Sequence, residues 1–240
     1  MLGRADLHVH STWSDGAQHP ATIVSAAAGR LDVIAITDHD QIGGALAARS
    51  FAARRPDLGV EVVVGEEISS RNGHLIGLFL EERVPPGLSA ERTIDAIHAQ
   101  GGLAVAAHPF HPVRGHARGH HPLGALVPHL RLDAIEVINN AGVWSRLYDA
   151  RAALRNVEWM LPVTAGSDAH DVWYLGSAVT RFEGRSARCL RHALESGRTR
   201  AHLRWAWTLD KLPRHLRIQL CALYRFARLG RRQRRVAWAR

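Results

Sequence analysis

The chain has 240 residues, of which 46% are hydrophobic and 22% are charged, with a formal net charge of +9. These values fit one folded domain, alone or with a small appendage, and they exclude a globally disordered chain. No apolar run approaches the roughly 18 residues that span a bilayer, and no apolar signal segment is visible at the start. Cys189 and Cys221 are too far apart in sequence to indicate a disulfide framework, so the expected location is cytoplasmic.

The positive charge is concentrated at the C-terminal end. Residues 200–240 contain twelve basic residues and one acidic residue, whereas residues 1–199 are close to neutral. An isoelectric point of about 10.9 is typical of nucleic-acid binders, but here it reflects the tail alone. The unusual feature of the body is histidine, because fourteen of the sixteen histidines precede residue 200.

Short apolar runs alternate with longer amphipathic or alanine-rich stretches along the body. The runs predict strands at residues 5–9, 32–37, 60–65, 74–80, 103–107, 133–138 and 162–165. The longer stretches predict helices at residues 21–29, 43–53, 89–100 and 146–159, followed by a strand and a helix within 177–201. This alternation predicts an α/β fold with a parallel sheet, either open or closed into a barrel.

Two segments depart from this alternation. Residues 110–122 form a predicted histidine-rich loop, and beyond residue 201 the composition shifts to Arg, Leu and Trp. We therefore predict a body at residues 1–201 and a basic amphipathic helical tail at residues 202–240.

Histidines and carboxylates fall where the predicted strands end. His8 and His10 lie on the first strand, where alternate residues share a face and can point at one metal ion. The other candidates are Asp15, His39, Glu67, His74, His108, Asp168 and His170. One such histidine alone would more often be structural, but recurrence at successive strand ends favours a metal site on the face where α/β barrels place active sites.

This donor set predicts a centre of more than one metal ion. Imidazoles and carboxylates together suit Zn²⁺, Mn²⁺ or Fe²⁺. Nine candidate ligands exceed one tetrahedral site and would fill two or three. The adjacent Glu66 is an alternative to Glu67.

The motifs resemble, in order, those of the polymerase and histidinol phosphatase (PHP) family, over roughly residues 5–200. Residues 175–201 are also similar to the PHP-associated region. The segments that carry the resemblance are His8-Val9-His10-Ser11, Ser14-Asp15-Gly16, Ile36-Thr37-Asp38-His39-Asp40, Gly65-Glu66-Glu67-Ile68-Ser69, Gly73-His74-Leu75-Ile76-Gly77, Ala107-His108-Pro109 and Gly166-Ser167-Asp168-Ala169-His170.

The resemblance implies a distorted barrel of seven β/α units, similar to a TIM barrel, that binds up to three metal ions. It implies that the first metal is held by His8, His10, Glu67 and Asp168. Glu67 would bridge to a second metal completed by His74 and His108. Asp15, His39 and His170 would hold the third. Glu67 rather than Glu66 fits the family's Gly-x-Glu spacing.

Asp6, Asp38 and Asn139 are candidates to orient the ligands, because metal ligands need hydrogen-bonding partners behind them. Each of the three could equally be a cap or turn residue.

A cluster of divalent ions suits hydrolysis of a phosphate ester by a metal-bridging hydroxide. We predict a stand-alone phosphoesterase acting on a small phosphomonoester, a nucleotide or an oligonucleotide. The predicted catalytic residues are Asp168, His170 and His39, although a metal-bound imidazole is a poor proton donor. Arg114 and Arg118, in the loop after His108, are predicted to bind the substrate's phosphate, against the alternative of a solvated loop.

The sequence is also compatible with two other functional classes. The same metals could hydrolyse a carbonyl C–N or C–O bond. A non-enzymatic binding module is the third option, which a complete ligand set disfavours. A P-loop is absent, since the single lysine is Lys211.

The tail has three interpretations. Its leucines recur at helical spacing with arginines mostly off that stripe. Residues 203–240 could clamp nucleic acid, attach peripherally to an anionic membrane surface, or pack as a helix on the barrel.

Overall fold

The computed structural model describes residues 1–111, 123–142 and 145–205. Arg114, Arg118 and the tail beyond Trp205 lie outside the described residues, so the predictions made for them stay predictions. Residues 1–201, the predicted body, fall largely within the described part.

Nine strands make up the sheet of the described residues. They are β1 (Leu2–Asp6), β2 (Val33–Ile36), β3 (Glu61–Ser70), β4 (Gly73–Leu78), β5 (Leu103–Ala106), β6 (Ala134–Asn139), β7 (Val163–Gly166), β8 (Ala178–Glu183) and β9 (Arg200–Leu203). Their order across the sheet is β7-β6-β5-β4-β3-β2-β1-β8-β9.

Five α-helices connect these strands. They are α1 (Pro20–Ala27), α2 (Gly43–Ala53), α3 (Ala90–Ala99), α4 (Ser145–Trp159) and α5 (Ala187–Glu195), with short 3₁₀ turns at Pro56–Leu58, Leu123–Ala125 and Val127–His129. Ser89 caps α3 by accepting a hydrogen bond from the backbone N–H of Arg92.

The sheet is mixed rather than wholly parallel. Strands β1, β2 and β3 are parallel, as are β5, β6 and β7. Strand β4 is antiparallel to both β3 and β5, because β3 and β4 form a hairpin. Strand β8 runs antiparallel to β1. The carboxyl ends of the parallel strands therefore meet at one end of the molecule.

The two ends of the sheet are joined by threonine side chains. Thr180 of β8 donates a hydrogen bond to the carbonyl of Ala165 in β7 and accepts one from its N–H, at 3.1 and 2.9 Å. Thr199 donates to the carbonyl of Val163 at 2.7 Å. The sheet is thus a nearly closed barrel, which confirms the predicted distorted TIM-like α/β fold.

Two apolar clusters cover the two faces of the sheet. Ala5, Val33 and Val63 belong to the inner cluster, which also contains Leu190 and Leu194 of α5. The outer cluster joins residues on the other face of the strands to helices α1, α2 and α3. The N–H of Ala187 in α5 donates to Glu61 at the start of β3, so α5 closes the amino end of the barrel. The carboxyl end is left for polar residues.

Two strand ends near the cluster differ from the sequence predictions, and one strand was not predicted. Strand β1 ends at Asp6 rather than residue 9, so His8 and His10 follow the strand instead of ending it. Strand β3 continues to Ser70 because it pairs with β4 in the hairpin, which places Glu67 inside the strand. Strand β9 was not predicted, since its Arg-Ala-His-Leu sequence lacks an apolar run.

Among the described residues, none of the helices has the length and apolar character needed to cross a bilayer.

Replacing Thr180 with valine tests the closure of the barrel. Thr180→Val keeps the side-chain shape but leaves the N–H of buried Ala165 without its partner. We expect the free energy of unfolding to fall by about 1–3 kcal/mol, measured by urea denaturation. Thr22→Val, on the exposed surface of α1, is the matched control and is expected to change it by less than about 0.5 kcal/mol. Equal losses in both variants would contradict this account of closure.

Candidate metal centre

The segments that follow β1 and β7 run side by side at the carboxyl end of the barrel. His10 donates its N–H to the carbonyl of Ala169 at 3.0 Å, and Ala169 donates to the carbonyl of His8 at 3.4 Å. A single parallel bridge pairs Val9 with Ala169. His8 and His10 therefore share one face even though the regular strand has ended, because this bridge keeps the backbone extended.

Glu67 lies at the centre of the cluster. Its Oε1 is 2.6 Å from His74 Nδ1 and 2.9 Å from His108 Nε2. Its Oε2 is 3.1 Å from His39 Nδ1 and 3.3 Å from the Nε2 atoms of His8 and His10. One buried carboxylate is thus surrounded by five imidazoles.

Glu66 points away from the cluster, since successive residues of a strand face opposite sides. Its Oε2 accepts a hydrogen bond from the N–H of Val84 at 2.8 Å. Burial raises the pKa of Glu66 to about 8, so the side chain is mostly protonated near neutral pH. The structure therefore brings Glu67, and not Glu66, to the histidines.

Two aspartates complete the cluster on its other side. Asp168 Oδ1 is 3.1 Å from His10 Nε2 and 3.7 Å from His170 Nδ1. Asp15 Oδ2 is 3.0 Å from His170 Nε2 and 3.7 Å from His39 Nε2. All nine residues predicted as ligands lie in this one cluster.

Four overlapping groups within the described residues have ligating atoms within 4.8 Å of one another. They are His8, His10 and Asp168; His10, Asp15, His39 and His170; His8, Glu67 and His108; and His39, Glu67 and His74. The first two groups contain the sets predicted for the first and third metals, apart from Glu67. His74 and His108, predicted to share one metal, both contact Glu67 but fall in different groups.

The donor set fits divalent metal ions. His8 Nε2 and both ring nitrogens of His10 are buried and lie 3.1–3.6 Å from carboxylate oxygens, but none of these contacts within the described residues has the geometry of a hydrogen bond. Burying an imidazole nitrogen without a partner costs free energy, whereas coordination of a cation would satisfy it. Imidazoles mixed with carboxylates suit first-row transition metals.

The electrostatics of the cluster favour ionised carboxylates. Burial alone would raise the pKa of Glu67, but His39, His74 and His8 hold it well below its usual range. Burial would likewise raise the pKa of Asp168, but His8, His10 and His170 hold it well below its usual range. Both side chains are therefore ready to bind a cation at neutral pH.

Glu136 of β6 is a functional candidate that the motif analysis missed. Its Oε1 is 3.1 Å from His8 Nδ1, and its Oε2 accepts the N–H of His108 at 2.8 Å. This contact holds the His8 ring with Nε2 facing Glu67. A sequence signal did exist, since an acidic residue interrupts the apolar strand run Ala-Ile-Glu-Val-Ile at residues 134–138.

Asp6, Asp38 and Asn139, the candidate orienting residues, all form hydrogen bonds to segments that carry the candidate ligands. Asp6 accepts hydrogen bonds from the N–H and hydroxyl of Ser167 and from the N–H of Gly176. Asp38 accepts hydrogen bonds from Ser11 and Ser14 and so fixes the loop after His10. These contacts favour the orienting role over a cap or turn.

Asn139 also favours the orienting role. Its Nδ2 donates to Glu136 at 3.0 Å and to Asp168 at 3.2 Å. It therefore joins the carboxylate behind His8 to one of the predicted ligands.

The backbone is strained at two of the cluster residues. Asp168 has φ of 51° and His108 has φ of 27°, in the region that side chains with a Cβ rarely adopt. Gly166 allows close packing beside them, because a Cβ there would lie 2.4 Å from the Cβ of His8 and 2.7 Å from Glu136. The surrounding structure therefore holds these side chains in place at an energetic cost.

His111 lies at the edge of the cluster. Its Nε2 is 3.2 Å from Asp149 of α4, and its ring centre is 5.7 Å from that of His108. His111 has this carboxylate partner because α4 packs against Phe110 and His111, through Trp159 and Tyr148.

Comparison with known proteins identifies relatives of this chain. Residues 150–199 match the model of the PHP-associated family. An uncharacterized protein of Methanocaldococcus jannaschii is 39% identical over 148 residues, which cover 57% of this chain and 81% of the relative. A phosphoribosyl 1,2-cyclic phosphate 1,2-diphosphodiesterase of Eggerthella lenta is 42% identical over 87 residues, covering 33% of this chain and 32% of the relative.

A solved structure has a similar fold. It is a two-domain protein from Bacteroides vulgatus that contains a predicted PHP-like metal-dependent phosphoesterase. The TM-score is 0.68 at 23% identity, with 85% of this chain and 65% of the other covered. At this identity the likeness concerns the fold.

Replacing Glu136 with glutamine tests its role behind His8. Glu136→Gln keeps the size but removes the charge that orients the ring, and we expect divalent-metal affinity to fall by about 10- to 100-fold. Affinity is measured by competition with a chelator. Glu158→Gln, exposed on α4, is the control. Wild-type affinity in Glu136→Gln would contradict the orienting role.

Proposed function

The chain belongs to the PHP superfamily, and we propose that it is a metal-dependent phosphoesterase. Its substrate class is a phosphate ester, which includes small phosphomonoesters, nucleotides and oligonucleotides. Its metal ions number two or three, of Mn, Zn or Fe.

The observation that carries this proposal is the position of Glu67 among five imidazoles, with Asp168 and Asp15 beside them. Such a cluster brings several carboxylates and imidazole nitrogens together in one buried place, and these are the ligands that adjacent divalent cations need. The Eggerthella lenta relative, named as a phosphodiesterase, shares residues with part of this chain and supports the same class of reaction.

Each residue of the cluster has a proposed role. His8, His10, Asp15, His39, Glu67, His74, His108, Asp168 and His170 hold the metal ions. The metal ions supply an activated water and stabilise negative charge on the phosphoryl group. Glu136 and Asn139 keep His8 and Asp168 oriented, and Asp6 and Asp38 fix the two loops that carry ligands.

Asp168, His170 and His39 are the residues proposed to act nearest the reacting atoms. They lie on the more open side of the cluster, with 12%, 25% and 13% of their side chains exposed, whereas His8, His10 and Glu67 are almost fully buried. A substrate entering from solvent would reach this side first. Arg114 and Arg118 are proposed to bind the phosphate, and they lie outside the described residues.

The adjacent pair of glutamates gives a sharp test of the site. Glu67→Gln removes the central carboxylate, and we expect kcat/KM for bis(4-nitrophenyl) phosphate to fall by at least about 100-fold. Glu66→Gln is the matched control, because Glu66 is already mostly protonated near neutral pH and glutamine reproduces that state. We expect it to retain activity within about threefold. Similar losses in both variants would contradict the assignment of Glu67.

A panel of substrates distinguishes the proposed reaction from hydrolysis of a carbonyl bond. Nucleotides, sugar phosphates and aryl phosphodiesters are assayed beside aryl esters and carbamates, with Mn²⁺ supplied. We expect turnover of phosphate esters, its loss after treatment with a chelator, and its return when Mn²⁺ is restored. Faster turnover of the esters or carbamates would favour the carbonyl hydrolase instead, and no turnover of any compound would favour a binding module.

A further inference from the structure

A group of arginines lies outside the metal centre, on the outer face of the sheet. Arg4 of β1 pairs directly with Arg181 of β8, and Arg181 pairs directly with Arg200 of β9. Residues directly opposite one another on neighbouring strands point to the same side. Thr180 points to the other side, where it bonds to Ala165 of β7. Three arginines therefore form a row across three strands.

Two further arginines extend this row toward the metal centre. Arg30 donates a hydrogen bond to the carbonyl of Leu175 at 2.6 Å, and Arg204 donates to the carbonyl of Gly176 at 3.5 Å. Burial and the positive charges of Arg4, Arg30 and Arg181 lower the pKa of Arg204. We call this set the arginine face: Arg4, Arg30, Arg181, Arg200 and Arg204.

Among the residues that the structure describes, the arginine face has little compensating negative charge. Asp32 is 3.9 Å from Arg4, but it also pairs with Arg185. Glu183 faces the same side at the far end of β8, opposite Leu2. The Nε of Arg181 is buried and has no hydrogen-bond partner in the described part of the chain. Like charges directly opposite on neighbouring strands are destabilising, so this arrangement favours binding of an anion.

An exposed tryptophan lies in the chain segment that connects His170 of the metal centre to the arginine face. The segment 171–176 begins directly after His170 and ends at Gly176, whose carbonyl bonds to Arg204. Trp173 in this segment is 54% exposed. Its neighbour Tyr174 packs against Trp205, with ring centres 5.7 Å apart, which anchors the segment. A large exposed aromatic ring next to a row of cations is suited to a base and its phosphates.

We propose that the arginine face binds the phosphate backbone of a single-stranded nucleic acid, with Trp173 stacking on a base. Guanidinium groups bind phosphate through paired hydrogen bonds, and a row of them matches a chain of phosphates better than a single phosphate. The strand can follow the arginines without crossing Glu183, whereas a flat anionic bilayer on this face would also contact that carboxylate. The proposal concerns binding and does not depend on hydrolysis by the metal centre.

The test compares two charge-matched double variants of the full chain. Arg181→Gln with Arg200→Gln removes two charges from the arginine face. Arg49→Gln with Arg188→Gln removes two exposed charges from α2 and α5. Binding of a labelled thymidine oligonucleotide is measured by fluorescence anisotropy at several salt concentrations. All variants keep residues 206–240, so any contribution of that segment is the same in each.

We expect the first pair to raise Kd by about tenfold and to flatten the slope of log K against log salt by about 1.4, because each of the two lost phosphate contacts reduces that slope by about 0.7 on a single strand. The control pair is expected to stay within about twofold of wild type. Arg200→Gln alone, at an exposed position, provides a milder variant if the double variant unfolds. Equal effects of the two pairs, or none from the first, would overturn the proposal.

Trp173→Ala tests the stacking contact separately. We expect it to weaken binding of the thymidine oligonucleotide by about tenfold and to leave an abasic strand of the same length unchanged. Equal losses on both strands would overturn the stacking role.

Binding to vesicles rich in phosphatidylserine is measured as well, to distinguish lipid from nucleic acid. Loss of vesicle binding with unchanged oligonucleotide binding, in the arginine-face double variant, would assign the surface to lipid instead.

Discussion

The burial of Glu67 among five histidines is the constraint on which the candidate metal centre depends. A carboxylate taken out of water is costly unless it is paired, and here it contacts imidazole nitrogens on every side at 2.6–3.3 Å. Those imidazoles come from four different parts of the chain. The cluster therefore forms only when the barrel is closed and its segments are in register, which links the folding of the whole domain to the chemistry of one site.

The hairpin of β3 and β4 makes this arrangement possible. In a regular parallel barrel only strand ends reach the active-site face, but the hairpin extends β3 past that level. Glu67 can then lie inside a strand with His74 on the neighbouring one, while Glu66 points to the other side. Glu136 and Asp38 are buried and hydrogen-bonded behind the candidate ligands. Glu136 contacts His8 and the N–H of His108, and Asp38 fixes the loop after His10. The arginine face lies elsewhere on the fold, where Arg181 of β8 is partly exposed and Arg200 of β9 is exposed.

Much of this could be predicted from the sequence, because strand ends and metal-ligand residue types are local signals. The nine candidate ligands, the α/β alternation and the five inter-strand helices follow from motifs and periodicity. Glu136 was missed because its partner His8 is 128 residues away, and a lone acidic residue within an apolar strand shows no partner in sequence. The row of Arg4, Arg181 and Arg200 was missed for the same reason, since it depends on antiparallel register between distant strands. Which of Glu66 and Glu67 faces the histidines depends on how β3 is oriented in the sheet, and the sequence alone does not show that orientation.

Anomalous diffraction from crystals of the chain grown with Zn²⁺ tests the central claim most directly. The account predicts two or three anomalous peaks in the cluster, with at least one about 2.0–2.2 Å from a carboxylate oxygen of Glu67 and from imidazole nitrogens around it. Crystals of Glu67→Gln should lose the peaks next to residue 67. A fully occupied wild-type crystal with no peak within coordination distance of Glu67, or with peaks unchanged in Glu67→Gln, would contradict it.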